Sequence, residues 1–473
     1  MHSQTELGVK HVNSLLFKYS VPAIIGMLVN ALYNVIDRMF IGKIPEVGPL
    51  AITGLGITMP IATIILAFGM LIGIGTTTNI SIKLGQKKKY EAEILLGNAV
   101  TLSLIIGIIL TIIGIIFSED ILILFGASEN TLIYAKTYID IILVGSVVNL
   151  LSFSLYHSIR ADGNPRISSG IMILGCILNA SLDYLFIFIF NLGIQGAALA
   201  TIIAQCVTAI LTIFYYLSKK SNLKIRKNNL ILRKNLVISI FAIGMSPFFM
   251  QLAASLVQVI SNNALRTYGG DLAIGAMTTI SSIAMIFLMP IFGLNQGAQP
   301  IIGYNYGAKK YSRVKKAYLM SLSVATIILF IGTFFIQMYP KFFIGLFNKD
   351  EELMKISIQG IRIYLFMMPI VGISITGSNF IQSIGKAKVA MLLSLLRQVI
   401  LLIPFILILP QFFGLNGVWL SQALADLIST ILTIIVLYKE LRSYKILNDE
   451  GEDILKTELE EYALEKENDK DEK

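Results

Sequence analysis

Twelve long apolar runs follow one another along this chain. They lie near residues 14–41, 50–80, 92–117, 131–158, 167–191, 194–217, 236–265, 271–302, 317–340, 353–383, 388–411 and 414–438. A helix needs about 20 mostly apolar residues to cross the hydrocarbon core of a bilayer. Inside lipid the backbone must satisfy its own hydrogen bonds, which an α-helix does within one segment. The expected fold class is therefore an all-α membrane protein, with twelve transmembrane helices in two six-helix bundles. Only 14% of the residues are charged, against roughly a quarter in a soluble domain. The first run is too long for a cleavable signal peptide, so it is expected to remain as a span.

The runs divide six and six. Residues 1–218 form a first bundle, 219–235 a basic linker, 236–440 a second bundle and 441–473 an acidic tail. The tail carries twelve acids against four lysines from Asp449 onward, and is expected to be solvated, disordered or loosely helical, with no part in transport. Basic residues crowd into alternate connections: Lys83 with Lys87–Lys89, Arg160 with Arg166, the linker, Lys309–Lys316, and Lys386 with Lys388. Cytoplasmic loops favour Lys and Arg, so both termini are expected in the cytoplasm of a multi-pass plasma-membrane protein, and a monomer is expected. The net charge of +9 is read as this topological bias and not as a nucleic-acid-binding face.

The halves resemble each other. Leu50-Ala51-Ile52 recurs as Leu272-Ala273-Ile274, 222 residues on. At the same offset Gly75 meets Gly297, Gly85 meets Gly307, Lys87-Lys88 meets Lys309-Lys310, and Gly163 meets Gly385. Pro22 matches Pro247 at an offset of 225. Six spans per half keep both copies in one orientation, which predicts parallel repeats about an axis along the membrane normal and a cleft between them. No metal-spacing motif, Walker loop or Ser/His/Asp constellation is present in the sequence, so no enzyme is expected, and any pumping would draw on an ion gradient.

The segment Gly297-Ala298-Gln299-Pro300-Ile301-Ile302-Gly303-Tyr304-Asn305-Tyr306-Gly307-Ala308 resembles the signature of MATE transporters, the multidrug and toxic-compound extrusion proteins. Asn179-Ala180-Ser181-Leu182-Asp183-Tyr184 and Asn34-Val35-Ile36-Asp37 look like two further motifs of that family. The resemblance covers about residues 10–440 and is strongest to the MepA-type bacterial multidrug exporters. It implies an antiporter that exports cationic or amphipathic organic compounds in exchange for sodium or protons, with no cofactor beyond the coupling ion.

An ionisable side chain inside a bilayer costs at least ~2.5–3.5 kcal/mol, so each needs a reason. Asp37 lies near the outer end of the first run, and Asp183 lies roughly 12 Å from the outer end of the fifth at about 1.5 Å per residue. Asn179, four residues earlier, shares the face of Asp183, and Thr201 in the sixth run reaches a similar depth. Two carboxylates, an amide and a hydroxyl can thus converge, all hard oxygen donors suited to a small cation or a shared proton. The alternative pairs Asp37 with Arg38 and Asp183 with a tyrosine hydroxyl, although adjacent helix positions such as 37 and 38 do not face each other. The resemblance implies ion coupling by Asp37, Asn179, Asp183 and Thr201, which would also be the metal ligands if the ion is sodium. Asp140 is read as an ordinary partner of Lys136, and Asp426 as a structural partner of Arg397.

The first, second, seventh and eighth runs are expected to line the cleft. Their interiors are aromatic, thioether and amide, with Tyr33, Asn34, Phe248, Gln251 and Met289 as candidates for binding small cationic organic molecules. Simple packing is the alternative for each one. A carrier of lipid-linked saccharides is the rival function, but its pyrophosphate would ask for Arg or Lys along the cleft.

Overall fold

A computed structural model describes residues 2–44, 47–347 and 350–471. The twelve expected runs become spans α1 (Val12–Gly42), α2 (Leu50–Gly85), α3 (Lys89–Leu124), α4 (Glu129–Val144 with Ser146–Ala161), α5 (Pro165–Ile189) and α6 (Gly193–Leu217), then α7 (Lys234–Gly270), α8 (Leu272–Gly307), α9 (Tyr311–Met338), α10 (Glu351–Tyr364 with Met368–Ser383), α11 (Ala387–Phe413) and α12 (Leu415–Tyr444). Ten are single helices long and apolar enough to cross a membrane, and α4 and α10 are bent pairs, each broken by 53°. A short helix, His2–Val9, precedes α1, and the helix that begins as α12 continues through the acidic tail to Asp471.

The repeat extends to backbone detail. The two broken spans occupy corresponding places, and each is followed by a span with a π-helical stretch, Leu185–Ile189 in α5 and Leu396–Leu402 in α11. Left-handed residues also come in pairs: Lys87 (φ 61°) with Lys309 (φ 57°), Gly163 (φ 99°) with Gly385 (φ 80°), and Gly193 (φ 56°) with Gly414 (φ 56°). Two lysines held in a conformation that favours glycine, at matching turns, show one loop geometry used twice.

The bundles touch at the end that carries the linker. A Cβ on Gly85 would run into the Tyr304 carbonyl oxygen, and one on Gly307 into the Ile82 carbonyl oxygen. Gly75 likewise faces the Ile240 carbonyl and Gly244 the Leu71 carbonyl. These glycines therefore recur because backbone meets backbone across the seam. Polar ties reinforce it: Gln299 Nε2 donates to Thr78 Oγ1 at 2.6 Å, and Ser239 Oγ to Asn79 Oδ1 at 2.6 Å. Valine at Gly85 or Gly307 is expected to hold this end open. A cysteine at buried Thr78 should then react faster with a water-soluble maleimide, and unchanged labelling would refute the seam as the closing contact.

Helices α1 and α7 cross between the bundles. Leu15, Leu16 and Tyr19 of α1 belong to the buried core built mainly by α8–α12, together with Leu7 of the short first helix. Reciprocally, Ile240 of α7 is buried in the core of α2–α6, where Leu236, Val237 and Phe241 also pack. Asn305 Nδ2 and Arg313 Nη2 donate to the Leu7 carbonyl at 3.0 and 3.1 Å, which fastens the N-terminal helix to the second bundle.

The linker is docked. Asp162, fully buried after α4, accepts from Tyr215 Oη (2.5 Å), Ser221 Oγ (3.1 Å), and the backbone N–H groups of Asn222 and Leu223 (3.0 Å each). Asn98 in α3 holds the later part, donating to the Asn229 and Ile231 carbonyls and accepting from Arg233 N–H. Asparagine at Asp162 would turn an acceptor into a donor facing donors. Hydrogen bonds to a charged group contribute about 1.5–3 kcal/mol each. Asp162→Asn is thus expected to free the linker, read as faster trypsin cleavage between Lys219 and Lys227 and a lower melting temperature.

Candidate functional site

Asp37, Asn179, Asp183 and Thr201 do come together, within the first bundle toward the end away from the seam. The carboxyl groups of Asp37 and Asp183 are close enough to interact directly. Asp183 is fully buried, and Asn179 and Asp37 are 3% and 7% exposed. Assigned from its partners, the Asn179 amide nitrogen donates to Asp183 Oδ2 at 3.1 Å and to Tyr33 Oη at 3.0 Å, while its oxygen faces Thr201 Oγ1 at 3.2 Å. One oxygen on each carboxyl, Asp37 Oδ1 and Asp183 Oδ1, has no hydrogen-bond partner in the protein.

Local structure explains the convergence. Asn179 and Asp183 lie one turn apart on α5, directly before its π-helical stretch. Such wide turns alter the facing of the residues around them and are frequent at functional sites. Gly196 lacks the side chain that would meet Phe186, so α5 and α6 approach closely and bring Thr201 to Asn179. Phe40, one turn after Asp37, packs its ring 5.7 Å from that of Phe188 and 6.3 Å from that of Tyr184.

Arg38 is not the partner of Asp37. Its Nη2 reaches Met59 Sδ at 3.9 Å, and no ion pair joins it to a carboxylate among the described residues. Lys136 and Asp140 stand 3.8 Å apart, with Glu119 also 3.5 Å from the lysine. Arg397 Nε donates to Asp426 Oδ1 at 2.7 Å, and Gln422 Nε2 donates to the same oxygen at 3.0 Å. Both pairings match the sequence reading.

The proposed cargo residues are scattered by comparison. Tyr33 joins the carboxylate cluster through Asn179. Asn34 is exposed and donates to the Asn30 carbonyl one turn back at 2.7 Å. Phe248 packs edge-on against Phe68 with centroids 5.0 Å apart, where α2 meets α7 above the seam. Gln251 and Met289 are half-buried on α7 and α8.

Two residues escaped the sequence reading. Tyr138 of α4 is buried beside Thr201 and lies within electrostatic reach of both carboxylates. Arg160, counted from the sequence among loop bases, is instead 1% exposed at the end of α4, with Nη1 donating to Gln296 Oε1 of α8 at 2.5 Å. The span extends through Ala161, beyond the edge that hydropathy marks near 158.

Comparison with known proteins agrees with the two-fold plan. The family model MatE matches twice, at residues 22–185 and 247–408, together more than two-thirds of the chain. Multidrug export protein MepA of Staphylococcus aureus is 28% identical over 423 residues, spanning 89% of this chain and 92% of the relative. The protein of the same name from Staphylococcus saprophyticus is 26% identical over 422 residues, with the same shares covered. Among solved structures, an outward-facing multidrug resistance MATE family transporter of the MOP superfamily superposes with a TM-score of 0.88 at 22% identity, covering 94% of this chain and 99% of the other. A MOP superfamily transporter from Pyrococcus furiosus, with a binding pocket of reverse polarity, superposes with a TM-score of 0.88 at 23% identity and the same coverage.

Proposed function

The chain belongs to the MatE family of membrane transporters, and from that membership we propose that it is a multidrug exporter of the MepA kind, an antiporter moving cationic or amphipathic organic compounds out of the cell against sodium or protons. The observation that carries the coupling is the carboxylate pair of Asp37 and Asp183, buried, in mutual contact, and with one unpartnered oxygen on each. Two carboxylates that close cannot both stay charged without a neutralising partner. Asn179, Thr201, Tyr33 and Tyr138 add only oxygen and amide groups around them. Either a proton shared between the carboxyls or a small hard cation held by these oxygens meets the requirement.

The seam contacts support an assignment of this conformer as outward-open, because they close the end where the basic loops place the cytoplasm. An organic cation is attracted while the pair is charged, and loses that attraction once the coupling ion has neutralised the pair. Ion and cargo thereby exclude one another, and exchange needs no separate gate. The protein is read as a plasma-membrane monomer with both termini cytoplasmic.

The test is transport in liposomes under separately imposed sodium and proton gradients. An ethidium-like cation is expected to move, and an anion of equal size to move at least about tenfold more slowly, since like-charge repulsion from a desolvated pair exceeds 1.4 kcal/mol. Transport of both at equal rates would remove the charge selectivity, and indifference to both gradients would remove the antiport reading.

A further inference from the structure

Arg160 is a cation without an anion. It is 1% exposed, and no ion pair to it exists among the described residues. Only Nη1 is occupied, by Gln296 Oε1. Nε and Nη2 have no partner. These two atoms form the side-on edge of the guanidinium, whose parallel N–H bonds match the two oxygens of a carboxylate.

The neighbouring polar groups leave that edge unfilled. The Gln296 amide nitrogen finds only Met27 Sδ, at 3.4 Å, a weak acceptor. His157, one turn before Arg160, is buried with Nε2 unpartnered, and its ring lies 4.5 Å from that of Tyr156. Tyr156 in turn carries the guanidinium over its face at 5.7 Å. A structural arginine in a membrane span ordinarily finds an acid, as Arg397 finds Asp426 at 2.7 Å. Arg160 instead straddles the seam, its chain in the first bundle and its one acceptor in the second.

We propose that the free edge of Arg160 is a carboxylate-binding subsite, uncovered when the bundles part at the seam and Gln296 withdraws. Its ligand is either a free organic carboxylate or the carboxylate of an amphoteric cargo. The subsite gives the transporter a way to recognise, on the seam side, molecules that carry a carboxylate as well as a cation. This goes beyond the antiport reading and does not depend on how the Asp37–Asp183 pair is loaded.

The experiment compares a rhodamine free acid with its methyl ester, which share the cationic ring system and differ only in the carboxylate. Binding is measured by fluorescence polarisation on the full-length protein, with thermal unfolding followed in parallel. The wild type should prefer the acid, and Arg160→Gln should reduce the acid-over-ester preference by about tenfold, the loss of one bidentate pair. Arg160→Lys keeps the charge, and with it the fold, but lacks the fork, so it too should lose most of the preference; it decides the matter if the glutamine variant fails to fold. Benzoate competing against the acid and not the ester identifies a site open to free carboxylates. Acid preference that depends on Arg160 but ignores benzoate identifies a subsite for cargo. A wild-type preference retained in Arg160→Lys and in folded Arg160→Gln would overturn the proposal and leave Arg160 as a tie between the bundles. Ester transport under ion gradients reports separately on antiport.

Discussion

Asp183→Asn and, separately, Asp37→Asn are expected to reduce ion-driven export to the level of protein-free liposomes while the protein stays folded. Each substitution keeps the side-chain volume and most of its hydrogen bonds, so the packing of α1, α5 and α6 has little reason to change. What it removes is the second carboxylate. A lone acid next to an amide no longer couples two charges, and neither a shared proton nor a cation bridging two carboxylates can form there. The readout is dye efflux in proteoliposomes under a sodium gradient and, in parallel, a proton gradient. Size-exclusion behaviour and melting temperature are the controls. A folded Asp183→Asn protein that still exports against both gradients would place coupling elsewhere.

Asp426→Asn should behave in the opposite way. Asp426 is buried and receives both Arg397 Nε and Gln422 Nε2. Removing its charge leaves a guanidinium in the second bundle without a counter-ion. Breaking such a pair by changing one partner costs about 3–5 kcal/mol when it is buried. Arg397 keeps 20% of its side chain exposed, so the lower part of that range is expected. The melting temperature should fall measurably, while protein that survives purification still exports. Lost coupling at unaltered stability would move the ion site into the second bundle.

The spans were legible because bilayer thickness imposes a length that any run of apolar residues displays. The breaks in α4 and α10 were not, since a 53° bend leaves hydropathy unchanged. Gly145 and Pro369 beside the two breaks are the only local signals. Asp37, Asp183 and Asn179 stood out as polar residues in apolar surroundings, and helical spacing placed two of them on one face. That Tyr33 also meets this cluster was not legible, because its side chain's direction depends on how α1 is rotated against α5. Tyr138 carries no mark among 19 tyrosines. Arg160 was misplaced for a simpler reason, a span boundary uncertain by a few residues.

The crossing of α1 and α7 bears on biosynthesis. A chain emerging from a ribosome inserts its first six spans before the seventh exists, yet the core of those spans is completed by Ile240, with Leu236, Val237 and Phe241 packed beside it. The later spans wait in turn for a core that Leu7, Leu15, Leu16 and Tyr19 supplied at the start. Each half thus completes part of its core with residues from the other. During synthesis the first bundle must remain loosely assembled in the membrane until α7 arrives, and the newborn α1 must be kept from settling irreversibly against its own half. Fragments cut at the linker and made alone would be quality-control substrates, whereas the same fragments made together could complete each other.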